Sequence, residues 1–323
     1  MPKMPSLSSL QRRFIPPLLW SCLCLNLSTV SLGLIASAQT TSKPEYLSGV
    51  AVGNRGIIYI IDQEAPVIFR VTEGDKLTVV YKGNKKSGTP LYGPKALVQD
   101  NAGNLFVCDP GTMDVWRISQ DGTTLIPLTG EKLEGGDSGA VTKAFDPKAR
   151  YSGKMAQPQS MTMDTEGSLI VADIGLGAIL RVPALGGNPV EVARIPMLGG
   201  IARDRDGSFV VVSRGANQLV RVSPQGKVTP IIKGSVAPKD VVSYPHHVIV
   251  DQQGYVISDL YARTLWRVSP DGKVTPLVQG DPLKNPVGIA LEPNGNILVI
   301  DTFARALFRV SPDGKISRYL SFE

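Results

Sequence analysis

The chain has few of the residues that build metal centres or disulfide scaffolds. Among 323 residues there are 3 cysteines and 2 histidines. Cys22 and Cys24 fall within the first 38 residues, leaving Cys108 alone in the body of the chain, so no disulfide can form there. His246 and His247 are neighbours, and nothing matches a zinc-type Cys/His spacing. Amphipathic helical patterns of about 10–15 residues between strands are also missing, which excludes a doubly wound α/β fold. Gly175-Leu176-Gly177 opens no helix and is therefore no dinucleotide fingerprint. The segment 1–38 holds no Asp or Glu, and no Asn-x-Ser/Thr acceptor follows Gln39.

What the chain has in excess is turn chemistry. Its 33 glycines and 25 prolines make up about 18% of the residues, against a usual ~12%. Gly and Pro are the poorest helix formers, so the excess points to short strands and tight turns. With 42% hydrophobic residues the chain can still bury a core. Length alone suggests about two domains at ~150 residues each, but an all-β ring can exceed 200 residues as one domain.

The N-terminal segment reads as an address. Lys3, Arg12 and Arg13 precede an apolar run from Phe14 to Ile35, which ends in Ala36-Ser37-Ala38. This is the pattern of a secretory signal peptide, cleaved near Ala38. The run is long enough to be a membrane anchor, but Pro16, Pro17 and Asn26 interrupt it. The expectation is an exported protein, periplasmic or extracellular, with residues 39–44 as a linker. Cleavage lowers the net charge from +6 to +3, too little for wholesale binding of nucleic acid or membrane.

From residue 45 to residue 323 the sequence repeats six times. An Arg recurs at Arg70, Arg117, Arg181, Arg221, Arg267 and Arg309. A strand-ending residue keeps the same rhythm at Asp62, Asp109, Asp173, Ser213, Asp259 and Asp301. One long interval holds an insertion at about residues 131–150, between units 2 and 3, placed to cap one rim. Each unit supplies four strand-sized runs, in the last unit Gly288–Leu291, Ile297–Ile300, Leu307–Val310 and Ile316–Leu320. Pro270-Asp271-Gly272 and Pro312-Asp313-Gly314 suit a type I turn followed by a left-handed Gly. Inner runs such as Ile297-Leu298-Val299-Ile300 are apolar at successive positions, so both faces should be buried. The pattern predicts an all-β, six-bladed β-propeller with four-stranded antiparallel blades.

The unit P-x-G-apolar-x-apolar-D, then G-x-apolar-apolar-apolar-x-D, then R-apolar, resembles the NHL repeat. More broadly it is similar to the superfamily of SMP-30/gluconolactonase enzymes, strictosidine synthase and streptogramin lyase. That resemblance implies the propeller fold over residues 45–323, on a scaffold that hosts binders, lactonases and lyases alike.

Residues present in every unit read as framework: the strand-ending Asp accepts loop N–H groups and the Arg braces strands. Residues that break the repeat are the candidates for function. The x positions of P-x-G are Ser48, Lys95, Gln159, Gly199, His246 and Val287. The resemblance to a metal-dependent lactonase implies carboxylate and amide ligands here, yet no carboxylate is present and a Lys is. No metal and no cofactor are therefore expected. The resemblance to streptogramin lyase implies a His with a nearby Glu, and no Glu adjoins His246 or His247.

In units 4 to 6 the rim loops contain Arg214, Arg263 and Arg305, beside Lys239 and Lys284 in the connections. With Lys95, Gln159 and His246 these suggest a basic rim for an anionic small molecule, a glycan or an acidic protein segment. Tyr261 and Phe303 add apolar contacts. Asp204-Arg205-Asp206-Gly207 reads as a hairpin turn, and Cys108 as a buried, inert thiol. The expectation is a monomeric binding or interaction module working at the channel rim. The alternative is a lactonase- or lyase-type enzyme acting at the channel mouth.

Overall fold

The computed structural model describes residues 44–85, 90–120, 122–129, 155–216, 218–232 and 244–323. The leader, most of the linker, the insertion at 131–150 and Lys239 lie outside the described residues. Six four-stranded antiparallel sheets follow one another along the chain, each a simple meander. They span residues 47–82, 96–127, 158–194, 198–230, 245–279 and 286–321, and we call them blades 1 to 6. Among the described residues the sole helical piece is a single 3₁₀ turn, Asn54–Gly56. In blade 6 the strands are Pro286–Leu291, Ile297–Asp301, Ala306–Val310 and Ile316–Ser321, each one or two residues longer than the sequence pattern marks.

Burial falls from the axis outward. Every residue of the second strands, such as Leu169–Asp173 and Ile297–Asp301, is buried, whereas nearly all residues of the fourth strands are half-buried or exposed. The continuous apolar run of each second strand has a simple cause. Alternate side chains face opposite sides of the sheet, and each side packs on a different neighbouring blade. Ile60 joins the cluster shared with blade 6, through Val287, Leu298 and Ile300. Its neighbour Ile61 joins the cluster shared with blade 2, through Leu97, Leu105 and Val107. Burying one such side chain is worth roughly 1.5–3 kcal/mol. Cys108 is fully buried within the cluster between blades 2 and 3, and burial pushes its thiol well above its ordinary pKa.

In blades 3 to 6 the repeated Arg finds an acidic partner within its own blade. Arg181 pairs with Asp164 at 3.1 Å, Arg221 with Asp204 at 2.9 Å, Arg267 with Asp251 at 2.7 Å and Arg309 with Glu292 at 2.7 Å. Each acid closes the first strand or follows it, so the pair ties strands one and three across strand two. Asp204 and Asp206 thus serve the hairpin and Arg221, as a turn should. The Pro-Asp-Gly turns also behave as read: Gly272 and Gly314 have φ of 91° and 90°. A Cβ there would come within 2.4 Å of the Ile231 carbonyl and 2.6 Å of the Leu277 carbonyl, in the preceding blade.

The ring closes without an N-terminal strand completing blade 6. The first strands of blades 6 and 1 pack directly together, and Thr302 Oγ1 donates to the Leu47 carbonyl at 2.8 Å. Arg305 donates to the carbonyls of Pro44 at 2.9 Å, Glu45 at 3.1 Å and Phe322 at 2.9 Å. It therefore clasps the two ends of the ring. Hydrogen bonds from charged groups contribute about 1.5–3 kcal/mol when well buried, and this guanidinium is partly exposed. Arg305→Ala should lower stability by about 1–3 kcal/mol, read as a fall of several degrees in Tm. Arg305→Lys, lacking the fork, should recover less than half of the loss.

Candidate functional site

The six first strands surround a central channel of about 210 Å³. All six x positions line it: Ser48, Lys95, Gln159, Gly199, His246 and Val287. The backbone explains why. In blade 5 Pro245 pairs with Asp259 and His247 with Ser258, so His246 is an unpaired bulge residue. Ser48, Gln159 and Val287 are bypassed in the same way in blades 1, 3 and 6. A bulge re-aims the side chain of its extra residue, here at the start of the strand that walls the channel.

The channel wall carries Lys95, Arg214, His246 and His247 and no Asp or Glu. Among the described residues no group of three or more His, Cys, Asp or Glu could hold a metal ion. Arg214 is the residue that departs furthest from the repeat. It directly follows Ser213, where the other blades carry Gln63, Pro110, Ile174, Leu260 and Thr302. Its backbone N–H bonds the Met197 carbonyl at 2.8 Å, while its buried Nε has no hydrogen-bond partner. The guanidinium stands 5.5 Å from the centre of the Tyr244 ring. Gly199 leaves it room, since a Cβ there would lie 3.0 Å from Nε.

Lys95 feels that guanidinium. Its pKa is lowered, first by burial and then by the charge of Arg214. The histidines are affected more strongly. Burial, then Arg214, lowers the pKa of His246 to about 3 and of His247 to about 4. Both rings border the channel, yet protein encloses them on the other sides, so the charged form is poorly solvated. His246 Nδ1 lies 2.7 Å from the Val287 carbonyl, which fixes the proton on Nδ1 and leaves Nε2 as an acceptor. Nδ1 of His247 is buried without a partner.

The predicted site residues therefore divide. Lys95, Gln159, Arg214 and His246 meet in the channel wall. Arg263 and Arg305 do not line it. They sit four residues after Asp259 and Asp301, both at positive φ (52° and 44°), and each braces the lead-in to the next blade. Arg263 Nε donates to the Leu283 carbonyl at 2.8 Å and its other end pairs with Asp281, which Lys284 also contacts. Sequence reading missed His247, and missed that Arg214 stands one residue past the strand end rather than four. That offset is visible by aligning Ser213 with Asp259 and Asp301.

The fold and site together define a six-bladed β-propeller with a cation-walled channel. Solved structures of the same shape carry different activities. A virginiamycin B lyase from Staphylococcus aureus is 16% identical, with 87% of this chain and 86% of that one aligned at a TM-score of 0.63. A gluconolactonase from Xanthomonas campestris is 12% identical over 86% and 87% of the two chains, at a TM-score of 0.63. A chain of a nidogen/laminin complex is 12% identical over 81% and 92%, at a TM-score of 0.61. At such identities the likeness is one of fold. No protein-family model matches the sequence, and no curated protein does.

The histidines make stability depend on pH. Their pKa values in the folded protein lie below the ordinary 6.5. The unfolded chain therefore takes up protons first as pH falls, and stability, complete above about pH 6.5, is lost toward pH 4. Each ring contributes a slope of up to roughly 1.4 kcal/mol per pH unit. A Tm series from pH 7 to 4.5 should fall steeply for the wild type and less steeply for His246→Asn/His247→Asn. Parallel profiles would refute the assignment.

Proposed function

We propose that the protein binds a small anion, a carboxylate or phosphate, at the channel and acts as an exported, monomeric ligand-binding or interaction module. One observation carries this reading: Lys95 and Arg214 share the channel wall with no acidic side chain. Cations held out of bulk water without a counter-ion are costly. An anionic ligand would supply the missing partner, and the fork of Arg214 can take two oxygens at once. Gln159 and Nε2 of His246 offer a donor and an acceptor for neutral groups on the same ligand. About 210 Å³ restricts the part that enters to a small group.

A second reading, a lyase-type enzyme, is favoured by His246. It is neutral, its Nε2 stands as an acceptor, and it borders the channel, where a bound anion would offset the two cations that otherwise oppose its protonation. One structural neighbour is a catalytically inactive histidine-to-alanine variant of virginiamycin B lyase with quinupristin, at 16% identity and a TM-score of 0.62. The neighbour from a nidogen/laminin complex points instead to interaction, so the fold supports both classes.

Calorimetry with acetate, phosphate and sugar acids tests the first reading. Arg214→Gln should weaken binding of the best anion by about tenfold or more, the loss of one charge-assisted contact. Affinity should decline with rising pH before the usual lysine range near ~10.4 is reached, and Lys95→Arg should remove that decline. No heat and no Tm shift with any anion would overturn the reading. Turnover of a ligand that His246→Ala binds but leaves intact would favour the enzyme.

A further inference from the structure

Ten large apolar side chains are exposed among the described residues, and six of them stand on one rim of the channel: Tyr46, Tyr92, Leu176, Met197, Tyr261 and Phe303. All six lie in lead-in segments or in the loops after the strand-ending residue, which hydrogen bonds join into one face. Met197, Tyr261 and Phe303 are 62%, 73% and 70% exposed. Single exposed apolar residues are ordinary, but a concentration of them in one place marks an interaction surface. Here they encircle the opening of a channel walled by two cations. The two features are also in contact. Arg214 stands over Tyr244, and the Tyr244 and Tyr261 rings are 4.8 Å apart with their planes tilted by 36°. A stacked path thus runs from the channel charge to the open rim.

We infer that this face docks an acidic polypeptide segment, an inference that rests on the anion-binding reading of the channel. A carboxylate side chain of the partner enters the channel to meet Arg214 and Lys95. Apolar side chains flanking it lie on Met197, Tyr261 and Phe303. Charge complementarity selects the acid. The mixed rim selects polypeptide over glycan: flat rings suit sugar faces, but Met197 and Leu176 suit varied apolar side chains, to which a thioether adapts readily. A second copy of this chain fits poorly, because a symmetric pairing of this face would bring two cationic channels together.

The test pans a random peptide display library on the purified protein and measures the selected peptides by calorimetry. The expected peptides carry Asp or Glu flanked by apolar residues. Met197→Ser/Phe303→Ser should weaken them by about tenfold and leave phosphate and acetate affinity unchanged, whereas Arg214→Gln should weaken both. Selected peptides that lack an acid, or that bind the rim variant as well as the wild type, overturn the inference. Tighter, rim-dependent binding of oligogalacturonate would assign the face to glycan instead. A concentration-dependent dimer lost in the rim variant would assign it to a second copy. If phosphate and acetate bind but no acidic peptide does, the docking inference fails and the anion reading stands. If neither anion binds at all, the anion reading itself fails.

Discussion

Five buried aspartates organise the rim of this ring. Asp62, Asp109, Asp173, Asp259 and Asp301 close the second strands of their blades, fully out of solvent. Each accepts N–H groups from two directions at once. Asp173 takes the amides of Ala156 at 2.7 Å and Gln157 at 2.9 Å from the lead-in to its blade, and that of Leu176 at 3.0 Å from its own loop. Asp301 does the same with Lys284 at 2.7 Å, Asn285 at 2.9 Å and Ala304 at 2.9 Å. A carboxylate in a protein interior is costly unless hydrogen bonds compensate it. At Asp109 the contest is visible: burial raises the pKa, against hydrogen bonds from Gly93, Tyr92, Thr112 and Gly111 that lower it. Each such residue fixes where the chain turns into its first strand and, in blades 1, 3, 5 and 6, with it the bulge that aims a side chain at the axis.

The site arises where that device is missing. In blade 4 the position holds Ser213, whose hydroxyl donates to the Pro196 carbonyl at 3.1 Å. A serine cannot gather several amides, and what blade 4 keeps is the backbone bond from Arg214 to Met197, which blades 1, 3, 5 and 6 also make at the same place. The residue past the strand end then carries a cation beside the channel, over a Gly199 that has no side chain to obstruct it. Neighbouring Arg263 and Arg305 are spent on backbone carbonyls and on Asp281. The same residue type is therefore framework in blades 5 and 6 and channel wall in blade 4, decided by an offset of three residues.

Much of this was legible in the sequence. The two rhythmic markers, Arg and Asp, predict six units because a blade must repeat its bracing to pack against identical neighbours. The x positions follow from the same alignment, and all six reach the channel because each opens the first strand of its blade, four of them as a one-residue bulge. Legibility ended where geometry depends on side-chain direction. Arg214, Arg263 and Arg305 look alike as letters in a loop, and the partners that separate them, Leu283, Pro44 and Phe322, lie outside that loop, Pro44 at the other end of the ring. His247 follows the bulge residue and would alternate away from the axis in a regular strand, so a simple period hides it from the channel.

The two histidines explain how the channel tolerates its cations. Lys95 and Arg214 already repel one another, an effect that adds to burial in lowering the pKa of Lys95. A third or fourth positive charge would raise that repulsion in a confined space. Burial and Arg214 keep both rings neutral, so they widen the polar wall without adding charge. The bond to the Val287 carbonyl fixes the tautomer of His246, which turns a titratable ring into a fixed acceptor. The channel is thereby set up with two charges of one sign and neutral polar groups around them. On the proposed anion-binding reading, such an arrangement would discriminate by sign first and by hydrogen-bond pattern second, because Coulombic terms between confined charges exceed those of neutral hydrogen bonds. A neutral ligand would leave both cations without a partner, and a cation would add to their repulsion.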